Sequence, residues 1–516
     1  MCTIYTSTHE LYLEDKIMRS LEILLSLLCF FLILHHWLYG KLPLLVSRIL
    51  GAAGLGVPLI QLFLEGYRWQ ITLLYGISFL LGLKALLRSP APPSHTRKKG
   101  LRALSFVFNL FLFLFFSLTL VVALALPVIQ LPEPQGPFPV GTLRLHWTDM
   151  SREEAFTSDP SDKRELMVQF WYPTAKDATK ERMDLFPDDS LQFEKTIKAY
   201  SEGLHLPAFT LGYWKYAKSH SYTDSPILKE AQPYPVVLLC HGLGTGSVLH
   251  TSQAENLASH GYVVLAIDHT FSTLATAFPD GRVTGLETSL TTANFYQTGA
   301  QLGSLWTEDV SFVLDQLEAL GTGEIESPFM GSLNLDKIGI MGHSFGGATA
   351  FNAFCLDDRI RAGINMDGGL YNPDVSLISP KPFLFMEAGD YLERLEKRTI
   401  ENPTHELLET LRMTKEEYVA FIEKGKKEEE TIKKVVDQGG KLVYIENSGH
   451  FNFTDLQVYS PLISMTGMTG SIDGASCATM VNRYQLEFFD AYLKGLNSPL
   501  ISGPSPDYPE MKFLNP

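Results

Sequence analysis

The sequence predicts an α/β fold with a mostly parallel central sheet, preceded by an all-α region of about four transmembrane helices. Three observations predict it. Short apolar runs of strand length alternate with helix-length segments through the later part of the chain, as buried parallel strands joined by helices do. Apolar runs long enough to span a bilayer crowd into the first quarter. And in KIGIMGHSFGG, residues 337–347, an apolar run leads straight into a glycine-flanked turn, after which Ala348, Thr349 and Ala350 open a helix.

With 516 residues the chain exceeds a single core, so two or more units are expected. Mean hydropathy is +0.05, with the apolar excess concentrated near the N-terminus. The net charge of −15 falls on the remainder, which leaves no basic face for phosphates and excludes nucleic acid as a partner. Cys2, Cys29, Cys240, Cys355 and Cys477 are widely scattered, with no zinc-type spacing and no disulfide framework. No metal and no organic cofactor is implied, and oligomeric state is open.

Residues 1–17 carry no pattern, and Met18 is an alternative start because the apolar pattern begins right after it. Runs at 21–38, 42–64, 71–87 and 104–129 read as four spans, the second being the weakest because Arg48 lies inside it. A cleaved signal peptide would account for the first run, but three more follow. Lys84, Arg88, Arg97, Lys98, Lys99 and Arg102 cluster before the fourth run, and no Asp or Glu occurs between Glu65 and Glu133. The positive-inside rule makes that loop cytoplasmic and puts everything after Pro132 outside, as expected of a multi-pass protein of the cell membrane. The proline-rich stretch 131–137 marks the boundary between a helical region, 1–132, and a catalytic domain, 133–516.

Past that linker, 141–147 alternates apolar and polar residues as an edge strand does, and 166–172 is a second strand. Residues 178–232 are poorly periodic and read as an excursion, either lining a substrate entrance or packing on the surface. Strands follow at 235–240, 262–267, 338–341, 361–366, 382–387 and 441–446. Helices are expected at 253–260, at 304–320 with apolar residues on one face, across the charged segment 393–436, and at 480–493.

The chemistry centres on Gly342-His343-Ser344-Phe345-Gly346. Strand, G-x-S-x-G and helix in that order form a nucleophile elbow, the mark of an α/β-hydrolase fold, which lifts the Ser344 hydroxyl above the sheet edge at a helix N-terminus. Such a serine needs a base, an orienting carboxylate and an oxyanion site, in the chain order Ser, acid, His. Two histidines lie downstream. His405 resembles a solvated helix start, whereas His450 sits in a turn after a strand, where active-site loops gather, and is the expected base. Asp367 and Asp390 both follow strand ends, and the residues alone do not separate them. The oxyanion donors are the backbone N–H groups of Phe345 and of Leu243, the latter in the His241-Gly242-Leu243-Gly244 loop; each such donor is typically worth about 3 kcal/mol in the transition state. His241 reads as a structural hydrogen-bonding residue of that loop.

VVLLCHGLG, LASHGYVVLAIDH, GHSFGGATA, an aspartate after INM and a histidine in SGHFNFTD, together with VQFWYP and KSHSYTDSPI, resemble the platelet-activating factor acetylhydrolases, also called plasma-type phospholipases A2. The resemblance spans about 140–493 and nothing of the apolar N-terminal region. It implies Ser344 as nucleophile, His450 as base and Asp367, not Asp390, as the acid, with Leu243 and Phe345 at the oxyanion hole. It implies a serine carboxylic-ester hydrolase whose substrate is a phospholipid carrying a short or oxidised acyl chain. A general lipase, cutinase-like or dienelactone-hydrolase-like esterase is the alternative, and a non-catalytic receptor on a hydrolase scaffold a distant one. The membrane helices and a charged helical insertion at about 392–437 depart from the secreted members of the family.

Overall fold

The computed structural model describes residues 18–38, 42–89, 99–175, 180–291, 294–374, 381–397 and 403–514. Cys2, Arg97 and Lys98 of the expectations lie outside these residues, as do 398–402 of the charged insertion. The chain divides into two compact units. One is Met1–Gln130 with Gly212–Tyr216 and Tyr459–Leu462; the other is Leu131–Leu211, Ala217–Val458 and Ile463–Pro516.

In the first unit four helices, α1 (Ser20–Trp37), α2 (Leu44–Leu64), α3 (Thr72–Leu86) and α4 (Lys99–Ala125), are built from the four apolar runs. Each is long and apolar enough to cross a membrane, α3 when counted with the turn that starts at Trp69. Leu25, Leu28, Leu32, Leu74, Ile77, Leu81 and Phe116 form the shared core, while most of the other leucines and phenylalanines face outward. Glycine allows α2 and α3 to approach closely: a Cβ on Gly51 would stand 2.5 Å from Leu86 N, and one on Gly54 2.9 Å from the Gly82 Cα. At one end of the bundle the fully buried side chains of Glu22 and Arg68 pair at 2.7 Å, and Arg19 holds the other Glu22 oxygen at 2.6 Å. Arg68 also donates to the carbonyl of Leu126 at 2.6 Å, so the buried guanidinium has a hydrogen-bond partner besides its ion pair.

The second unit is an α/β sandwich around one sheet. Its strands, in chain order, are β1 (Val140–Glu153), β2 (Lys163–Pro173), β3 (Arg182–Asp184), β4 (Lys218–Thr223), β5 (Tyr234–Cys240), β6 (Val263–Asp268), β7 (Thr276–Ala277), β8 (Val283–Thr284), β9 (Leu333–His343), β10 (Ile360–Met366), β11 (Phe383–Glu387), β12 (Lys441–Ile445) and β13 (Met511–Leu514). Eleven of them form the sheet, ordered β13-β12-β11-β10-β9-β5-β6-β2-β1-β4-β3, while β7 and β8 pair separately. The run from β12 through β6 is parallel; β13 joins one side antiparallel, and on the other β2, β1 and β3 pair antiparallel with their neighbours while β4 lies parallel to β1. Both faces are covered. Val236, Leu238 and Ile340 pack under α7 (Phe295–Thr322), α8 (Phe345–Leu356) and α11 (Lys415–Asp437). Val237, Leu239 and Met341 pack under α6 (Thr251–Ser259) and the closing helix Gly474–Phe489. Residues of alternate parity thus feed opposite cores, which is why the central strands read as unbroken apolar runs.

Two expectations need correcting. The segment 141–147 is not the sheet's margin: β4 pairs in parallel with Gly141 and Thr142, and β3 lies beyond. And 178–232 is no irregular excursion, since it holds β3, β4 and a helix, α5 (Ser190–Gly203). The inward residues of β4 are Ser219 and Ser221, both fully buried, and Ser221 Oγ and His220 N donate to Glu255 of α6. A strand that buries hydroxyls carries no apolar alternation to detect. The charged segment forms α9 (Tyr391–Lys397), α10 (His405–Leu411) and α11.

Candidate active site

The site is built at the carboxyl ends of β5, β9, β10 and β12. β9 delivers its chain into a turn in which Ser344 takes φ +55° and ψ −123°, a strained conformation for a residue with a side chain. Its N–H donates to Met366 O on the neighbouring strand, which fixes the turn to the sheet. The flanking glycines are sterically required: a Cβ on Gly342 would stand 2.1 Å from Gly346 O, and one on Gly346 2.2 Å from His241 O.

His450 reaches back from the loop after β12. Its Nε2 lies 2.9 Å from Ser344 Oγ, and its Nδ1 lies 2.6 Å from Asp367 Oδ2. The carboxylate partner makes Nδ1 the protonated nitrogen and leaves Nε2 to accept the serine proton. Ser344 and His450 are half-buried and open to a substrate, while Asp367 is buried. Burial works to raise the Asp367 carboxyl, but the His450 hydrogen bond and the Arg394 guanidinium outweigh it and hold it well below the usual carboxylate range.

Asp390, the other aspartate the sequence offers, is not brought to the imidazole. It is exposed and pairs with Arg394 at 3.2 Å. His405 is exposed on α10. Leu243 and Phe345 both belong to an apolar cluster with Trp306, Tyr371 and Leu302 beside the elbow. Among the described residues neither Leu243 N–H nor Phe345 N–H donates to a protein acceptor, so both are available to an oxyanion. His241 is buried, with Nδ1 donating to Gly242 O at 2.7 Å and Nε2 accepting from His269 N at 3.1 Å. Burial, with the neighbouring His269, pushes it well below the usual imidazole range and leaves it neutral.

Sequence reasoning missed three neighbours. His343, the variable position of the elbow motif, is buried; its Nε2 donates to the His450 carbonyl at 2.9 Å, and the two rings lie 4.6 Å apart. Burial, and then the His450 charge, holds His343 well below its ordinary value, so a neutral ring braces the His450 backbone. Glu387 and Arg394 complete the surroundings of Asp367, Arg394 donating to both carboxylates at 2.5 and 3.0 Å. Nothing in a charged helical segment distinguishes Arg394 from its solvated neighbours. Only the position of Glu387 at a strand end, three residues before Asp390, hints at burial.

Comparison with known proteins gives a consistent picture. The profile of the family described as "Platelet-activating factor acetylhydrolase, isoform II" matches residues 124–287 and 321–498, and that of the α/β hydrolase fold matches 235–403. An Arthroderma benhamiae protein named "Probable 1-alkyl-2-acetylglycerophosphocholine esterase" is 28% identical over 397 residues, 75% of this chain and 94% of that protein. The platelet-activating factor acetylhydrolase of Cavia porcellus is 25% identical over 52% of this chain and 60% of its own length. The structure of a ferulic acid esterase from Streptomyces cinnamoneus superposes with a TM-score of 0.52 at 24% identity, covering 74% of this chain and 98% of that one, a likeness of fold.

Proposed function

Because the chain belongs to the platelet-activating factor acetylhydrolase family of esterases, we propose that it hydrolyses a short or oxidised acyl ester of a phospholipid, with Ser344, His450 and Asp367 as its triad. One observation carries the assignment of roles: the unbroken relay from Ser344 Oγ through His450 to Asp367, with contacts of 2.9 and 2.6 Å. His450 Nε2 takes the hydroxyl proton as Ser344 Oγ attacks the ester carbonyl, and Asp367 stabilises the imidazolium that forms. The N–H groups of Leu243 and Phe345 receive the oxyanion. Collapse of the tetrahedral intermediate expels the alcohol, which takes its proton from His450. A water deprotonated by His450 then releases the acid from the acyl-enzyme.

The catalytic domain is 133–516, following a membrane region of 1–132. Four apolar helices support a multi-pass anchor that keeps the site near lipid. The cluster of basic residues before and at the start of the fourth helix supports a cytoplasmic loop there and an extracytoplasmic catalytic domain, at the cell membrane.

The test is competition against a fluorophosphonate label by acetyl, oxidised and long-chain phospholipid esters. Acetyl and oxidised esters are expected to protect best; protection by long-chain esters alone would move the enzyme to the general lipases. Ser344→Ala is expected to abolish both labelling and p-nitrophenyl acetate cleavage, and retained cleavage would contradict the assignment.

A further inference from the structure

The inserted helices reach the buried side of the triad. Asp367 uses its two oxygens differently: Oδ2 faces His450, while Oδ1 accepts from Ala388 N at 3.0 Å and from Arg394 Nη2 at 2.5 Å. The same Nη2 donates to Glu387 Oε2 at 3.0 Å, and Arg394 Nε lies 3.2 Å from Asp390 Oδ1. One guanidinium from α9 therefore spans three carboxylates, two of them buried. Further along the insertion, Glu428 of α11 accepts from Leu370 N at 3.0 Å, bracing the loop that carries Asp367.

We propose that Arg394 is a positioning residue for the reaction, gripping the far oxygen of Asp367 so that the near one is aimed at His450. The proposal rests on the triad reading above. A cation shared by two buried carboxylates lowers the cost of keeping negative charge there. Burial, and then the Asp367 charge, raises Glu387 well above the ordinary carboxylate range, so Glu387 keeps the proton and Asp367 the charge. One Nη2 serves both buried carboxylates while Nε lies beside Asp390, so the planar guanidinium is oriented in a way a lysine ammonium would not be. Asp390, an exposed residue at the start of α9, steadies the guanidinium from its outer side.

The groups facing His450 and its acid are His343 on β9, Asp367 after β10, Glu387 on β11, and Arg394 with Asp390 on α9; Glu428 of α11 lies behind the Asp367 loop, and His250 stands behind His343. Removing the guanidinium leaves this set more negative. The added negative charge favours the imidazolium over the neutral base.

In the full-length chain, Arg394→Gln is expected to move the acid limb of kcat/KM for p-nitrophenyl acetate up by about one pH unit. Turnover per fluorophosphonate-titrated serine is expected to fall about tenfold. Arg394→Lys keeps the charge but not the planar guanidinium; it is expected to leave the limb in place and to lower kcat at unchanged KM. Titrating the labelled serine removes any effect of misfolded protein. An unmoved limb in Arg394→Gln, or an equal displacement in Arg394→Lys, overturns the proposal. Should the Gln variant fail to fold, unchanged turnover in the Lys variant does the same. If the wild-type label is found off Ser344, the triad reading falls first, and the role of Arg394 with it.

Discussion

Ser344 occupies a backbone conformation that costs on the order of 1–3 kcal/mol for a residue bearing a side chain, and the sheet on either side over-determines it. Asp367, at φ +53°, is held the same way, its N–H bonded to Met386 O at 2.8 Å. Two strained residues on adjacent strand ends are thus placed by backbone, before any side chain chooses a rotamer. Asp367→Asn removes the acceptor that fixes the His450 tautomer, and turnover should fall about a thousandfold or more. Asp390→Asn, which loses only an exposed partner of Arg394, should cost far less; steady-state kinetics of both variants checks this, and the reverse order would move the acid. The elbow was legible because glycine is the only residue that fits at 342 and 346. The choice between the two aspartates was not, since both follow strand ends and differ only in where the chain goes next; the family resemblance was needed to point to Asp367.

Elements differ in how openly they declare themselves. The central strands and α7 announce themselves by their apolar runs and spacing; most of the central strands begin within a residue or two of expectation, while β9 begins at Leu333 and α7 at Phe295, ahead of the expected 338 and 304. α7 runs further toward its N-terminus than its apolar face suggests, and there Gly303 packs against the Tyr371 ring, where a Cβ would stand 2.1 Å from it. β3, β4 and α5 hid because the strand that joins them to the sheet buries serines in place of aliphatics. Those serines serve α6, whose Glu255 is raised by burial to about 7 despite the Ser221 hydrogen bond. Asp455, raised by burial to about 7, accepts from Ser252 at the start of the same helix. The folded chain keeps protons on both groups that the unfolded chain has already lost, so stability falls as pH rises from the ordinary carboxyl range through about 7. For Glu255 alone the effect is on the order of 3 kcal/mol. Buried neutral His241 and His343 act in the opposite sense over the lower part of this range, so the readout is a difference: in thermal melts of the detergent-solubilised chain between about pH 5 and pH 8, Glu255→Gln should lose stability less steeply with rising pH than the parent. A slope unchanged in that variant would assign the pH response elsewhere.

At the scale of the whole molecule, the sequence separates an apolar helical quarter from an acidic enzyme, and the helices are readable because spanning length leaves few alternatives. Sidedness is a matter of loop charge, so it calls for a direct measurement. A cysteine in place of Ser94, a position outside the described residues, is expected to react with an impermeant maleimide only after the cytoplasmic side is opened. Labelling from outside would invert the topology. The paired charges of Glu22 and Arg68 bear on how such a chain is made. The glutamate leaves the ribosome long before the arginine, 46 residues behind it, so α1 meets the translocon with an acid whose final partner does not yet exist. Arg19, three residues upstream and already in contact, is the counter-charge at hand during that interval, and the later arrival of Arg68 turns a local truce at the start of α1 into a clasp with the turn before α3.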